Sequence, residues 1–107
     1  MSQPLGWNAL LQANTPWKSI QITRVSVPAS GTTLLPTTPL ANRAGVYIWV
    51  PGTGESLRWG LADSTFDTSS PLAYAGAITP LPLTDQIALV GQSVSGTIVC
   101  TIIEYVI

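Results

Sequence analysis

The last thirteen residues, SGTIVCTIIEYVI from Ser95 to Ile107, place the tightest limit on what this chain can fold into. They are rich in β-branched and aromatic side chains, which favour a strand. Successive side chains of a strand point to opposite faces. One face therefore carries Thr97, Val99, Thr101, Ile103, Tyr105 and Ile107; the other carries Ile98, Cys100, Ile102, Glu104 and Val106. A strand on the outside of a lone sandwich should be apolar towards the core and polar towards water. This one is largely apolar on both sides. In a chain of 107 residues the expected cover for the second face is another protein subunit. The pattern favours a protein that assembles over one that catalyses.

The same two-faced character recurs at Val46 to Val50, where Val46, Ile48 and Val50 oppose Tyr47 and Trp49. Nine prolines and nine glycines are spread along the chain, and Thr, Ser, Val and Ile dominate between them. This punctuation predicts an all-β protein of roughly six to eight short strands. The expected architecture is a small antiparallel β-sandwich or barrel, jelly-roll-like, over residues 19–107, preceded by an extended apolar arm over residues 1–18. Ser19 to Val27 is the first strand. Ile20 and Ile22 share one parity and Val25 and Val27 the other, which predicts a bulge near Thr23 and Arg24. Thr32 to Leu35 and Leu72 to Ala75 read as short strands. Pro51 to Ser56 reads as a hairpin turn, with Gly52 and Gly54 free to take positive φ, that pairs Val46–Val50 with Leu57–Gly60. Ala75 to Asp85 is too rich in proline for a central strand. Gln86 to Val90 is a further short strand, followed by a turn over GQSVSG.

The arm contains Trp7, Leu10, Leu11 and Trp17. It either docks on a neighbour or folds back on the chain's own sheet, since terminal segments are ordered only where they are tied down. Nothing in MSQPLGWNALL has the positive start and long apolar run of a signal peptide, and no stretch has the ~20 apolar residues of a membrane span. The expectation is a chain made without an export signal and without a membrane partner.

Charged residues make up only 8% of the chain, against a usual ~25%. Such a surface does little to oppose association. The net charge of −1, with four scattered cations, supplies no basic patch for nucleic acid. Cys100, the single cysteine, reads as a small buried hydrophobe. Glu104, the one charge within the closing strand, either sits at a wet rim or meets a cation such as Arg24, Arg43 or Arg58.

Catalytic groups are scarce. Without histidine the commonest general base is missing. Asp63, Asp67 and Asp85 lie in loops, with no pattern to pair them for acid–base work. The spacing of Asp63 and Asp67 misses a calcium-loop pattern, and one cysteine without histidine cannot supply a zinc site. No phosphate-cradling glycine motif is present. We therefore expect no enzyme activity, metal or cofactor. Trp7, Trp17, Trp49 and Trp59, with Tyr47 and Tyr74, are either packing and interface anchors or platforms for a sugar ring. Packing is favoured, because a sugar site needs polar side chains beside the ring and the chain has few.

From Asn42 onward the order of segments is NRAGVYIWV, LRWG, a small polar loop, PLAYAGAITPLPL, QIALVG and SGTIVCTIIEY. This order resembles the small β-sandwich proteins of tailed bacteriophage virions that sit on or beside the capsid. Those chains show an asparagine-arginine step into a strand, a short glycine-containing strand, an apolar proline-bearing loop and a closing strand of this type. The resemblance covers about the last two thirds of the chain. It implies a structural virion protein, made in the host cytoplasm, that decorates or cements the head as a homo-oligomer, a trimer or higher, against the major capsid protein. The alternative is a receptor- or carbohydrate-binding module of a phage tail or fibre. The residues expected at contacts are Trp7, Leu10, Leu11, Trp17, Tyr47, Trp49, Tyr105 and Ile107.

Overall fold

A computed structural model describes residues 17–107. Eight strands follow one another: β1 (Ser19–Val27), β2 (Thr33–Leu34), β3 (Gly45–Trp49), β4 (Leu57–Leu61), β5 (Leu72–Ala73), β6 (Ile78–Leu81), β7 (Leu89–Ser93) and β8 (Ile98–Val106). They pair antiparallel as β1 with β8, β2 with β7, β3 with β6 and β4 with β5. Those four pairs are the rungs of one long hairpin. Rolling it up brings β3 against β8 and β4 against β7, giving two four-stranded sheets in the orders β1-β8-β3-β6 and β2-β7-β4-β5. This is the jelly-roll form of the β-sandwich.

Three local expectations fail. Pro51 to Ser56 is not a hairpin turn: β3 belongs to the first sheet and β4 to the second, so the segment crosses between them. Among the described residues, the glycines with positive φ are Gly31, Gly76 and Gly96, not Gly52 or Gly54. In a rolled hairpin, strands that follow one another usually leave for the other sheet. Nor does β1 carry a bulge, since Ser19 through Val27 pair residue by residue with Val106 through Ile98. Ile20 and Ile22 are apolar residues on the outward side of a regular strand, 44% and 60% exposed, whereas Val27 on the inward side is fully buried. The turn predicted over GQSVSG is displaced as well, because β7 runs on through Gly91 and Gln92 to Ser93. Pro80 lies in β6, which is tolerated because β6 is an edge strand.

The core lies between the sheets and is built from Val27, Leu35, Val46, Ile48, Leu57, Leu89, Ile98, Cys100 and Ile102, among others. Cys100 is buried as a free thiol, and burial pushes its pKa up to about 11. At the end of this apolar layer sits one ion pair. Arg43 Nη1 donates to Glu104 Oε2 at 2.8 Å, and the two residues are 2% and 0% exposed. The turn before the arginine directs it inward. Asn42 has φ 62°, a left-handed conformation that asparagine tolerates better than most residues, and Arg43 N–H closes the turn on Leu40 O at 3.2 Å. The remaining polar atoms are paired by the backbone and one amide. Arg43 Nε donates to Leu83 O at 3.2 Å and Nη2 to Ile87 O at 2.8 Å. Glu104 also accepts from Leu40 N–H at 2.8 Å and from Gln21 Nε2 at 3.0 Å. Among the described residues, no buried side-chain nitrogen or oxygen lacks a partner.

Removing one member of such a pair strands the other in an apolar setting. Glu104→Gln is expected to lower unfolding stability by about 3–5 kcal/mol in guanidinium titrations. Replacing both partners together, as Arg43→Met with Glu104→Leu, should recover only part of that loss, because Leu40 N–H and Gln21 Nε2 then lack their acceptor. A single variant within about 1 kcal/mol of the parent would show that water reaches the site. Cys100 supplies a second check. It should stay unreactive towards a thiol reagent in the native state and react fully once the chain is unfolded.

Candidate contact surface

The outward side of the first sheet is assembled by strand parity. Val46, Ile48, Cys100, Ile102 and Glu104 face the interior, so Tyr47, Trp49, Thr101, Ile103 and Tyr105 face out. On β1 the outward positions are Ile20, Ile22, Arg24 and Ser26. Ile20, Ile22 and Val99 are 44%, 60% and 50% exposed. Ile103 lies between Ile22 and Tyr47 across the two ladders, stands outside the core cluster, and is nevertheless buried. A second apolar cluster therefore lies on the outside of this sheet.

Part of it is aromatic. Trp17, just before β1, stacks on Tyr105 with ring centroids 4.7 Å apart and planes 14° from parallel. Tyr105 stacks in turn on Tyr47 at 5.4 Å, and Trp17 lies 5.9 Å from Tyr47. Offset stacking of this kind adds to what burial alone contributes. The stack depends on Gly45, the ladder partner of Tyr105. The Tyr105 ring lies so close over the Gly45 backbone that an added Cβ would overlap its hydroxyl and ring carbons. Lys18 N–H donates to Val106 O at 2.7 Å and Ala44 N–H to Tyr105 O at 2.7 Å, which hold the backbone on both sides of the stack.

The expected contact residues thus divide. Trp17, Tyr47 and Tyr105 form one cluster, and Trp49 lies on the same face, half-buried. Ile107 stands just past the end of β8, 53% exposed. Trp7, Leu10 and Leu11 lie outside the described residues. Sequence reasoning missed Ile20, Ile22 and Val99. The parity slip in β1 was the signal for Ile20 and Ile22, and it marks apolar residues on two faces of an unbroken strand; the signal for Val99 was the apolar outward parity of the closing strand.

The second sheet treats its outer face differently. Val90 points outward on β7 opposite Gly60 and is only 3% exposed. Side chains of Ser64 and Phe66 occupy the space where a Gly60 side chain would project. The loop after β4 therefore comes down over this part of the second sheet. Among the described residues, no comparable stretch of loop shields Ile20, Ile22 and Val99.

Compared with known protein families and characterised proteins, the chain matches no family model and no characterised sequence.

Burial within the stack raises the pKa of Tyr47, and the neighbouring Tyr105 phenol adds to the shift through charge repulsion and a hydrogen bond. The folded state therefore holds this proton above the ordinary value of 10.0. The contribution to stability is intact below that pH and is lost as pH rises through the raised value. Absorbance titration should show one tyrosine ionising late, and Tyr105→Phe should bring it back towards the ordinary value. A Tyr47 that titrates identically with and without Tyr105 would show that the two hydroxyls do not interact.

Proposed function

We propose that this chain is a structural virion protein of a tailed bacteriophage, which decorates or cements the head as a homo-oligomer in contact with the major capsid protein. The observation that carries the reading is the outward apolar face of the first sheet, with Ile20, Ile22 and Val99 exposed beside the Trp17–Tyr105–Tyr47 stack. Exposed apolar groups at this density mark an interaction surface on a chain with few charges to keep copies apart. The sequence resemblance from Asn42 onward supports the same reading. The jelly roll is used in viral capsid domains, and that likeness is one of fold alone.

In such a role the protein works by burying surface at lattice joints. A typical stable contact buries about 800 Å² on each partner, an area of the order one sheet face of a small domain supplies. The gross hydrophobic gain is reduced by the cost of immobilising each copy. A trimer or higher ring closes such contacts without leaving an open face for uncontrolled growth.

Light scattering at micromolar concentration is expected to give a mass that is a multiple of the single chain. Ile22→Lys places a charge among the exposed apolar residues of the face without touching the core. It should raise the dissociation constant at least about tenfold, equivalent to ~1.4 kcal/mol, with the thermal transition of the domain retained. A parent chain that stays monomeric at this concentration would sink the oligomer reading. Mass spectrometry of purified virions from the phage that encodes the chain tests the location directly.

A further inference from the structure

The two sheets end in four edge strands, β1 and β6 on the first and β2 and β5 on the second. An exposed edge is a row of unpaired backbone groups, and proteins blunt such rows by shortness, proline or a bulge. Three of these edges are blunted. β6 has four residues and contains Pro80; β2 and β5 have two residues each, with Pro36 shortly after the one and Pro71 directly before the other. β1 has none of these devices. It is nine residues long, unbulged and free of proline, and its only charge is Arg24. A groove of about 490 Å³ lies along it, between residues 21–26 and 33–38. Among the described residues, no strand occupies that side of β1.

The ladder pattern tells which backbone groups are free. In an antiparallel pair the N–H and C=O of one residue point to the same side, and the sides alternate along the strand. Val106 O accepts from Lys18 N–H, so Val106 turns to β1, whereas Tyr105 O accepts from Ala44 N–H and turns to β3. By alternation Glu104, Ile102, Cys100 and Ile98 also turn to β1, where their partners are Gln21, Thr23, Val25 and Val27. The N–H and C=O groups of Ile20, Ile22, Arg24 and Ser26 therefore point away from the sheet, and all of these residues are exposed.

We propose that this edge pairs antiparallel with β1 of a second copy, about a two-fold axis at Thr23. With that centre Ile20 faces Ser26 and Ile22 faces Arg24, so every free group meets a counterpart. Other centres do worse. One at Ile22 sets Ser26 against Lys18, whose N–H is already given to Val106. One at Arg24 sets two guanidinium groups side by side and Ile20 against Pro28, which has no N–H. At the chosen centre Thr23 faces Thr23, a favourable cross-strand match, and no like charges are directly opposed. The two four-stranded sheets become one, ending on both sides at β6 with its Pro80, so the pairing stops at two copies. It also runs the outward Ile20 and Ile22 of one copy on into those of the next. The bonds are made by the main chain, so the pairing does not rest on the contact proposed for the outer face.

Hydrogen exchange followed by NMR on the full chain reads the edge residue by residue. At high concentration the amides of Ile20, Ile22, Arg24 and Ser26 should exchange at least about tenfold more slowly than after dilution. Those of Gln21, Thr23 and Val25 should stay protected throughout by β8. A contact through the outer face alone leaves the first set in fast exchange, which separates the two proposals. Thr23→Cys places a thiol on the axis, where facing Cα atoms of a non-hydrogen-bonded pair lie ~4.5 Å apart, within disulfide reach. This variant should be captured as a disulfide-linked dimer under mild oxidant, and the buried Cys100 does not compete. Arg24→Pro removes an edge N–H while leaving Ile20, Ile22 and Val99 in place. It should raise the dimer dissociation constant at least about tenfold with the thermal transition retained. Free exchange of the edge amides at every concentration overturns the proposal. So does protection without cross-linking of Thr23→Cys, which would place a different segment on the edge, or an Arg24→Pro chain that pairs as tightly as the parent.

Discussion

The Arg43–Glu104 pair is the interaction on which the rest of the molecule depends. It joins parts of the chain that no single strand ladder holds together. Glu104 sits on β8 between Gln21 of β1 and Val46 of β3, Arg43 comes from the connection before β3, and the guanidinium is closed off by Leu83 and Ile87 from the loop before β7. A buried pair of this kind contributes little net stability compared with an apolar filling of the same volume. What it contributes is position. A one-residue slip of β8 would turn Glu104 out and leave Arg43 buried without a counter-charge, a state costing several kcal/mol. The register of the central strand is therefore fixed by charge as well as by hydrophobic pattern.

That fixed register also decides what the protein shows to the outside. Strand parity allows only one arrangement once Glu104 faces in: its neighbours Ile103 and Tyr105 must face out. Tyr105 then lies over Gly45 and stacks with Tyr47 and Trp17. The aromatic outer cluster and the internal ion pair are two consequences of one alternation. With so few charged residues in the chain, spending two of them inside leaves the first sheet with a single outward charge on β1, Arg24. An apolar outer face follows from this distribution.

Much of this was legible in the sequence, and the remainder was hidden for identifiable reasons. Alternation in Ser95–Ile107 and Val46–Val50 showed two apolar faces directly, because parity is a local property. For Glu104 the sequence left open a wet rim or a cation such as Arg24, Arg43 or Arg58, since the choice rests on the left-handed turn at Asn42 and on a fold that brings Arg43 and Glu104 together across 61 positions. The crossing at Pro51–Ser56 looked like a hairpin because glycine and proline punctuate a sheet-to-sheet connection and a tight turn alike.

The loop after β4 explains why the two sheets differ in character. On the second sheet the outward residue Val90 is covered from within the chain, by the same turn of loop that carries Ser64 and Phe66 over Gly60. The first sheet has outward Ile20, Ile22 and Val99 and, among the described residues, no such loop. The loop covers Val90 but not Leu34, its outward partner on β2, so the second sheet is shielded only near Gly60. The apolar residues that face outward on the first sheet belong to the sheet whose register the Arg43–Glu104 pair fixes.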